Sequence, residues 1–319
     1  MGQTPMIAMD KQEADRAWDW LTALSPVVMM MVIHYRLSAV WTVLSAAVGC
    51  FAGLLLWRLA RVMPCRPASA LLCGVLVACC LPAQVPAWLC ATAGLVGAAV
   101  AGIPALFNRF FKKPPLRCPV YLPALTGYLT VRWAFAPHFA GTTLAQAGAD
   151  VVAGATPLAA MGTAVSDERM QWMFWGFDLS SMGSGPALAL FLGCAYLLLR
   201  RRVQPLPMAG MLLVVAGAFQ WRWGLPAFGL LAGGTLLAAM LLGDGLLLRT
   251  GRKGKWVGGI AAGVLAGAVT VYCRMRWGVD GAAVGVLIAC VAVSLLCLVY
   301  RGWRLLYGFL KGKFAKSEN

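Results

Sequence analysis

Apolar residues occur in this sequence as continuous stretches, and short basic segments separate the stretches. Most stretches approach the length of about 20 residues that a helix needs to cross a bilayer. The strict apolar–polar alternation of a membrane β-barrel is not the pattern of these stretches. They predict ten helices, at about 19–35, 39–57, 69–81, 86–106, 120–135, 185–199, 206–221, 225–248, 257–273 and 279–299.

The predicted helices form two blocks of five, and a less apolar connection separates the blocks. We therefore predict an all-α integral membrane protein with about ten transmembrane helices. Its regions would be an N-terminal segment (1–18), a first helix block (19–135), a connecting loop (136–184), a second helix block (185–299) and a basic tail (300–319).

Composition excludes the soluble classes of protein. Of 319 residues, 61% are hydrophobic and 12% are charged, and the charged fraction of a soluble domain is roughly twice as large. The net charge of +16 would suggest nucleic-acid binding in a soluble protein. In a membrane protein it indicates cytoplasmic loops that face anionic lipid, so we predict lipid and no nucleic acid as a partner.

The positions of the basic residues predict the sidedness of the chain. Counted over alternate connections, 21 basic residues fall on one side and 6 on the other. The smaller set is Arg36, Arg132, Arg169, Arg222, Arg274 and Arg276. Because cytoplasmic loops are enriched in Lys and Arg, both termini are expected in the cytoplasm and the loop 136–184 outside.

The sequence offers little catalytic or metal-binding chemistry. Its eleven cysteines form no Cys-x-x-Cys pair and mostly lie in apolar stretches, so we interpret them as small buried hydrophobes and predict no metal site. No nucleophile–base set or phosphate loop is evident, and no catalytic residue is predicted. Paired glycines such as Gly233-Gly234 are interpreted as close helix–helix contacts.

Asp244 is a carboxylate near the end of a long apolar stretch, where it is costly unless paired or solvated. Arg249 and Arg252 follow one to two helical turns later. An ion pair at the membrane edge and a functional role are equally compatible with this position.

The loop contains the segment Gly154-Ala155-Thr156-Pro157-Leu158, with Asp150 six residues before Thr156. The small neighbours Gly154 and Ala155 leave the Thr156 hydroxyl open to a bulky reagent, although the segment alone is a weak signal.

Further segments occur in a characteristic order across the chain, among them Ser69-Ala70-Leu71-Leu72-Cys73-Gly74, Leu81-Pro82-Ala83-Gln84-Val85-Pro86-Ala87-Trp88 and Leu231-Ala232-Gly233-Gly234-Thr235. Together with the Thr156 segment, they resemble the D subunit of the Rnf (Rsx) ion-translocating electron-transport complex. The B subunit of the sodium-translocating NADH:quinone reductase is a more distant relative.

The resemblance implies a flavoprotein of the bacterial inner membrane. FMN would be joined to Thr156 by a phosphoester bond, which a separate flavin transferase makes outside the cytoplasm, and Asp150, Gly154 and Ala155 would belong to the attachment motif. The other implied partners are the membrane and peripheral subunits of an oxidoreductase that couples electron transfer, between ferredoxin or NADH and other carriers, to Na⁺ or H⁺ movement. The chain would not be active alone.

This sequence departs from the family's pattern at several places, as a divergent member would. Ala153 replaces a Ser or Thr, and Gly183-Ser184-Gly185-Pro186 stands where the family has Gly-Glu-Thr-Ser. The segment 115–120 replaces an Asn-rich one, and Gly243 and Gly245 flank Asp244 in place of Thr and Pro. The family also suggests a second, non-covalent flavin, whose site would need polar residues that these departures remove.

A hypothesis from a different class is a multi-pass transporter or channel without a redox cofactor. The five-plus-five arrangement and the glycine-rich, carboxylate-poor helices are its support.

Overall fold

The computed structural model describes residues 4–63, 66–82, 85–110, 116–136, 167–176, 182–183, 185–247, 252–277 and 280–317. Over these ranges the chain is helical and contains no β-strand. The helices are α1 (Thr4–Tyr35), α2 (Leu37–Leu59), α3 (Pro67–Cys80), α4 (Ala87–Phe110), α5 (Tyr121–Ala134), α6 (Asp167–Trp175), α7 (Ala187–Leu199), α8 (Pro205–Trp223), α9 (Pro226–Leu231), α10 (Thr235–Leu242), α11 (Arg252–Trp277) and α12 (Ala282–Ser317).

Five helical segments are long and apolar enough to cross a membrane. They are Ala14–Tyr35, Leu37–Leu59, Ala87–Phe110, Trp256–Trp277 and Ala282–Tyr300. Half or less of each is buried inside the protein, and many large apolar side chains, such as Leu199 and Trp221, face outward. An apolar surface of this extent requires lipid, so the chain is a multi-pass membrane protein.

The predicted helix at 225–248 is wrong in one respect, because the structure divides it into α9 and α10. The chain leaves helical geometry at Ala232, and Gly233 and Gly234 follow with φ angles of 62° and 70°. This left-handed conformation is strained for residues with a Cβ and is open to glycine. The Gly233-Gly234 pair therefore breaks a helix and is not the close helix–helix contact that the sequence suggested.

Helix packing in the first half of the chain has a counterpart in the second half. Helix α2 packs against α3 and α4, and α4 against α5; likewise α8 packs against α9, α10 and α11, and α11 against α12. Contacts of α1 with α7 and of α5 with α12 join the halves. One core cluster runs through both halves, with Trp20, Leu76, Tyr121 and Met211 fully buried in it.

Glycines allow the closest of these crossings. A Cβ at Gly94 of α4 would overlap the carbonyl oxygen of Ala46 in α2, and a Cβ at Gly49 of α2 would overlap the carbonyl oxygen of Ala91 in α4. The two helices thus touch backbone to backbone, which is the role of small residues in membrane helix pairs.

Candidate functional site

Thr156, Asp150, Gly154 and Ala155, the predicted flavin-attachment residues, lie outside the described residues. Their cofactor role therefore stays a prediction. What the structure gives is the two flanks of the loop that carries them.

Both flanks of the loop contact the turn between α3 and α4. On the first flank, Phe135 at the end of α5 packs edge-to-face on Trp88, with ring centroids 5.3 Å apart. On the second, the backbone N–H of Met182 donates to the Leu81 carbonyl at 3.2 Å, and that of Gly183 donates to the Cys79 carbonyl at 3.0 Å. These bonds satisfy carbonyls that the end of α3 would leave without partners. The loop is thus fastened at both flanks to the same end of the helix bundle.

Asp244, just beyond α10, is the most completely paired carboxylate in the described part of the chain. Its side chain has no exposed area, and it pairs with Arg16 of α1 and with Arg117, whose Nη2 lies 3.4 Å from Oδ1. The N–H of Val120, at the start of α5, donates to Oδ2 at 2.7 Å. The partners suggested by the sequence, Arg249 and Arg252, lie outside the side chains that the structure describes.

A second buried carboxylate, Asp19, lies one helical turn after Arg16 on α1. It accepts hydrogen bonds from Arg200 Nη2 at 3.1 Å, from Arg202, and from the hydroxyl of Tyr196 at 3.3 Å. The hydrogen bond to Asp19 raises the pKa of Arg200 above its ordinary value, so this guanidinium stays charged at any physiological pH. The pairs join α1 to the connection between α7 and α8.

These ion pairs bring together residues from connections that the charge count assigned to one side of the membrane. Arg16, Arg117, Arg200 and Arg202 all belong to the larger basic set, and they share the two carboxylates Asp19 and Asp244. We name this cluster the arginine-rich end of the bundle. Its network is the kind of pairing that lets a carboxylate be buried.

Arg274, near the end of α11, belongs to the smaller basic set and is 1% exposed. Its guanidinium enters the break between α9 and α10. There Nη1 donates to the carbonyl of Gly229 at 2.9 Å, and Nη2 donates to the carbonyl of Ala232 at 2.7 Å and to Oγ1 of Thr235 at 2.7 Å. The Phe219 ring centroid lies 5.7 Å from the guanidinium carbon, within the range of a cation–π contact.

Asp280, in the connection between α11 and α12, lies at the rim of this break. Its carboxylate is 3.6 Å from Arg274 Nη2, and its side chain is 30% exposed. The same carboxylate accepts the N–H of Ala282 at 3.1 Å, which caps the start of α12.

The described cysteines are buried or half-buried and form no disulfide among themselves. Within the described ranges, no group of three or more His, Cys, Asp or Glu side chains could hold a metal ion. The burial agrees with the interpretation of the thiols as small hydrophobes.

Sequence reasoning missed Arg274 as a buried charge and did not single out Asp19. An arginine three residues before the end of an apolar span is ordinarily a side chain that reaches the interface. The signal that could have pointed to Arg274 is Gly233-Gly234, because a broken helix exposes carbonyls that need donors.

Comparison with known proteins gives the family. Residues 1–301 match the sequence model of the NQR2, RnfD, RnfE family. The D subunit of the proton-translocating ferredoxin:NAD(+) oxidoreductase complex of Clostridium ljungdahlii is 23% identical over 300 residues, covering 87% of each chain. The D subunit of the ion-translocating oxidoreductase complex of Salmonella paratyphi A is 26% identical over 289 residues, covering 76% of this chain and 78% of the relative. With a match over nearly its whole length, and with the order of segments that the sequence shows, the chain belongs to the NQR2, RnfD, RnfE family.

Proposed function

We propose that this chain is the membrane subunit of an ion-translocating oxidoreductase complex of a bacterial cytoplasmic membrane, and that it carries FMN covalently on Thr156. The observation that carries the proposal is the match across residues 1–301, together with relatives that are named as D subunits of such complexes. The other subunits of the complex are its partners, and the chain is not active alone.

The flanks of the loop support an attachment site away from the arginine-rich end. Arg117 lies before the start of α5 and pairs at the arginine-rich end, whereas Phe135 lies at the other end of α5, where the loop begins. Under the positive-inside rule, the arginine-rich end faces the cytoplasm. The loop then lies on the outer side, where the family's flavin transferase works, and both chain termini lie inside.

The residues around Thr156 suit a phosphoester acceptor chemically. Its hydroxyl is the attacking oxygen, Gly154 and Ala155 leave room for the nucleotide, and Asp150 supplies a carboxylate for recognition by the transferase. Bound FMN would supply one- and two-electron redox chemistry, and the protein would set its position, solvation and potential.

The first test is whether flavin remains on the denatured chain. After SDS electrophoresis, the wild-type protein should fluoresce in the gel, and mass spectrometry should find FMN on the peptide that contains Thr156. Thr156→Ala should remove the fluorescence without reducing membrane insertion, because the loop adds little to helix packing. Thr163→Ala, seven residues later in the same loop, is the matched control and should keep its flavin.

Fluorescence retained by Thr156→Ala and lost by Thr163→Ala would move the acceptor to Thr163. No fluorescence in a wild-type protein that was co-expressed with a flavin transferase would favour the second candidate, a transporter or channel without a redox cofactor. The matching packing of the two halves is the observation that favours this candidate, since many transporters are built from such repeats.

A further inference from the structure

The break between α9 and α10 gathers backbone oxygens at a point where the chain has no helical partners for them. The carbonyls of Gly229, Ala232 and Gly233 all lie within 3.2 Å of a guanidinium nitrogen of Arg274. The positive φ angles of Gly233 and Gly234 produce this arrangement, because they turn the chain between two helices that together replace one span.

The other groups around the break also suit a cation. Thr235 is fully buried, and its Oγ1 accepts from Arg274 while it lies 3.0 Å from the Ala232 carbonyl. The face of Phe219 covers the guanidinium, and Asp280 adds a negative charge at 3.6 Å. Carbonyls, a hydroxyl, an aromatic face and a carboxylate are the groups that hold cations away from water.

We propose that the α9–α10 break is a cation-binding site whose built-in occupant is the guanidinium of Arg274. Arg274 satisfies the carbonyls that the break exposes, and it thereby excludes free small cations from them. An ion that crosses the membrane with this chain therefore does not bind at these carbonyls while Arg274 is in place. The proposal stands apart from flavin attachment and uses none of the loop residues.

The test is to remove the tethered cation and offer a free one. Arg274→Ala in the purified full-length chain in detergent should lower the Tm by about 5 °C or more, because several buried acceptors lose their donor. Low-millimolar guanidinium chloride should then raise the Tm of this variant in a saturable way. Urea, which has nearly the same shape but no charge, should not, and choline chloride controls for ionic strength.

Two matched variants locate the effect. Arg276→Ala removes an exposed arginine two residues further along α11, and its Tm should change little and should not respond to guanidinium. Adding Thr235→Val to Arg274→Ala removes one oxygen of the site, so the guanidinium concentration for half-maximal recovery should rise several-fold.

A comparison of Arg274→Lys with Arg274→Gln keeps the proposal testable if the alanine variant does not fold. Lysine retains the charge and glutamine does not, so the lysine variant should be the more thermostable of the two. Glutamine equal to or better than lysine, recovery by urea as large as by guanidinium, or no recovery by guanidinium in a folded alanine variant would each overturn the cation site.

Discussion

At the scale of single residues, the buried charges of this chain are stable only in combination. Asp19 and Asp244 each meet two arginines, and Arg274 meets three carbonyls, a hydroxyl and a carboxylate. Such groups contribute little net stability when complete, but the loss of one partner leaves an uncompensated charge. Residue-level predictions should therefore concern incomplete sets and not isolated contacts.

Asp244→Asn is the clearest example. The substitution keeps the size of the side chain but leaves Arg16 and Arg117 without a carboxylate, so we expect a loss of roughly 3 kcal/mol or more in unfolding free energy. Asp15→Asn, at an exposed position of α1, is the matched control and should stay within about 0.5 kcal/mol of wild type. Thermal unfolding in detergent measures both, and equal midpoints for the two variants would contradict the assigned role of Asp244.

The partners of these carboxylates could not be read from the sequence. Asp244 and Arg16 are 228 positions apart, and Asp19 and Arg202 are 183 apart. Local spacing pointed to Arg249 and Arg252 because a sequence shows only neighbours along the chain. Burial of both carboxylates follows from how α1 crosses the bundle, and no single stretch of sequence contains that information.

At the scale of elements, apolar stretches predicted most helices well. Leu37–Leu59 and Pro205–Trp223 occur where 39–57 and 206–221 were predicted, because length and hydropathy decide whether a stretch forms a helix. The stretch 225–248 failed because hydropathy does not register backbone φ angles. Two adjacent glycines are compatible with tight packing or with a left-handed turn, and tertiary contacts decide between these.

Packing between α2 and α4 gives an element-level prediction. Gly94→Ala should separate the two helices, because its Cβ would overlap the carbonyl oxygen of Ala46, and overpacking of this kind costs about 1–3 kcal/mol. Gly217→Ala in α8 meets no atom within 4 Å and should be neutral or slightly stabilising. Thermal midpoints in the same detergent compare the two, and a larger loss for Gly217→Ala would refute this account of the crossing.

At the scale of the whole molecule, two of the departures from the family's pattern are neighbours in space. Arg117 and Val120, from the segment that replaces an Asn-rich one, bond to Asp244, and the hydroxyl of Tyr121 donates to the Gly245 carbonyl at 2.9 Å. Changes at 115–120 and at 243–245 therefore belong to one contact region at the arginine-rich end.

The sidedness of the molecule is the remaining prediction. Reporter fusions should place the C-terminus in the cytoplasm and a site within 136–184 outside, because the arginine-rich end collects the larger basic set. A fluorescent protein that matures only in the cytoplasm suits the tail, and alkaline phosphatase inserted before Asp167 suits the loop. Phosphatase that is inactive in a stably inserted fusion would reverse the orientation and remove the basis for outer flavin attachment.

The contacts of Phe135 with Trp88 and of Met182 with Leu81 have a consequence for engineering and for divergence. Since both flanks are fixed on the α3–α4 turn, the bundle already bears the cost of closing the chain between them. Each doubling of the length of a flexible connection adds only about 0.6 kcal/mol. Affinity tags or entire domains can thus be inserted between these flanks at small thermodynamic cost, and homologues are free to vary in length there while their helices stay in register.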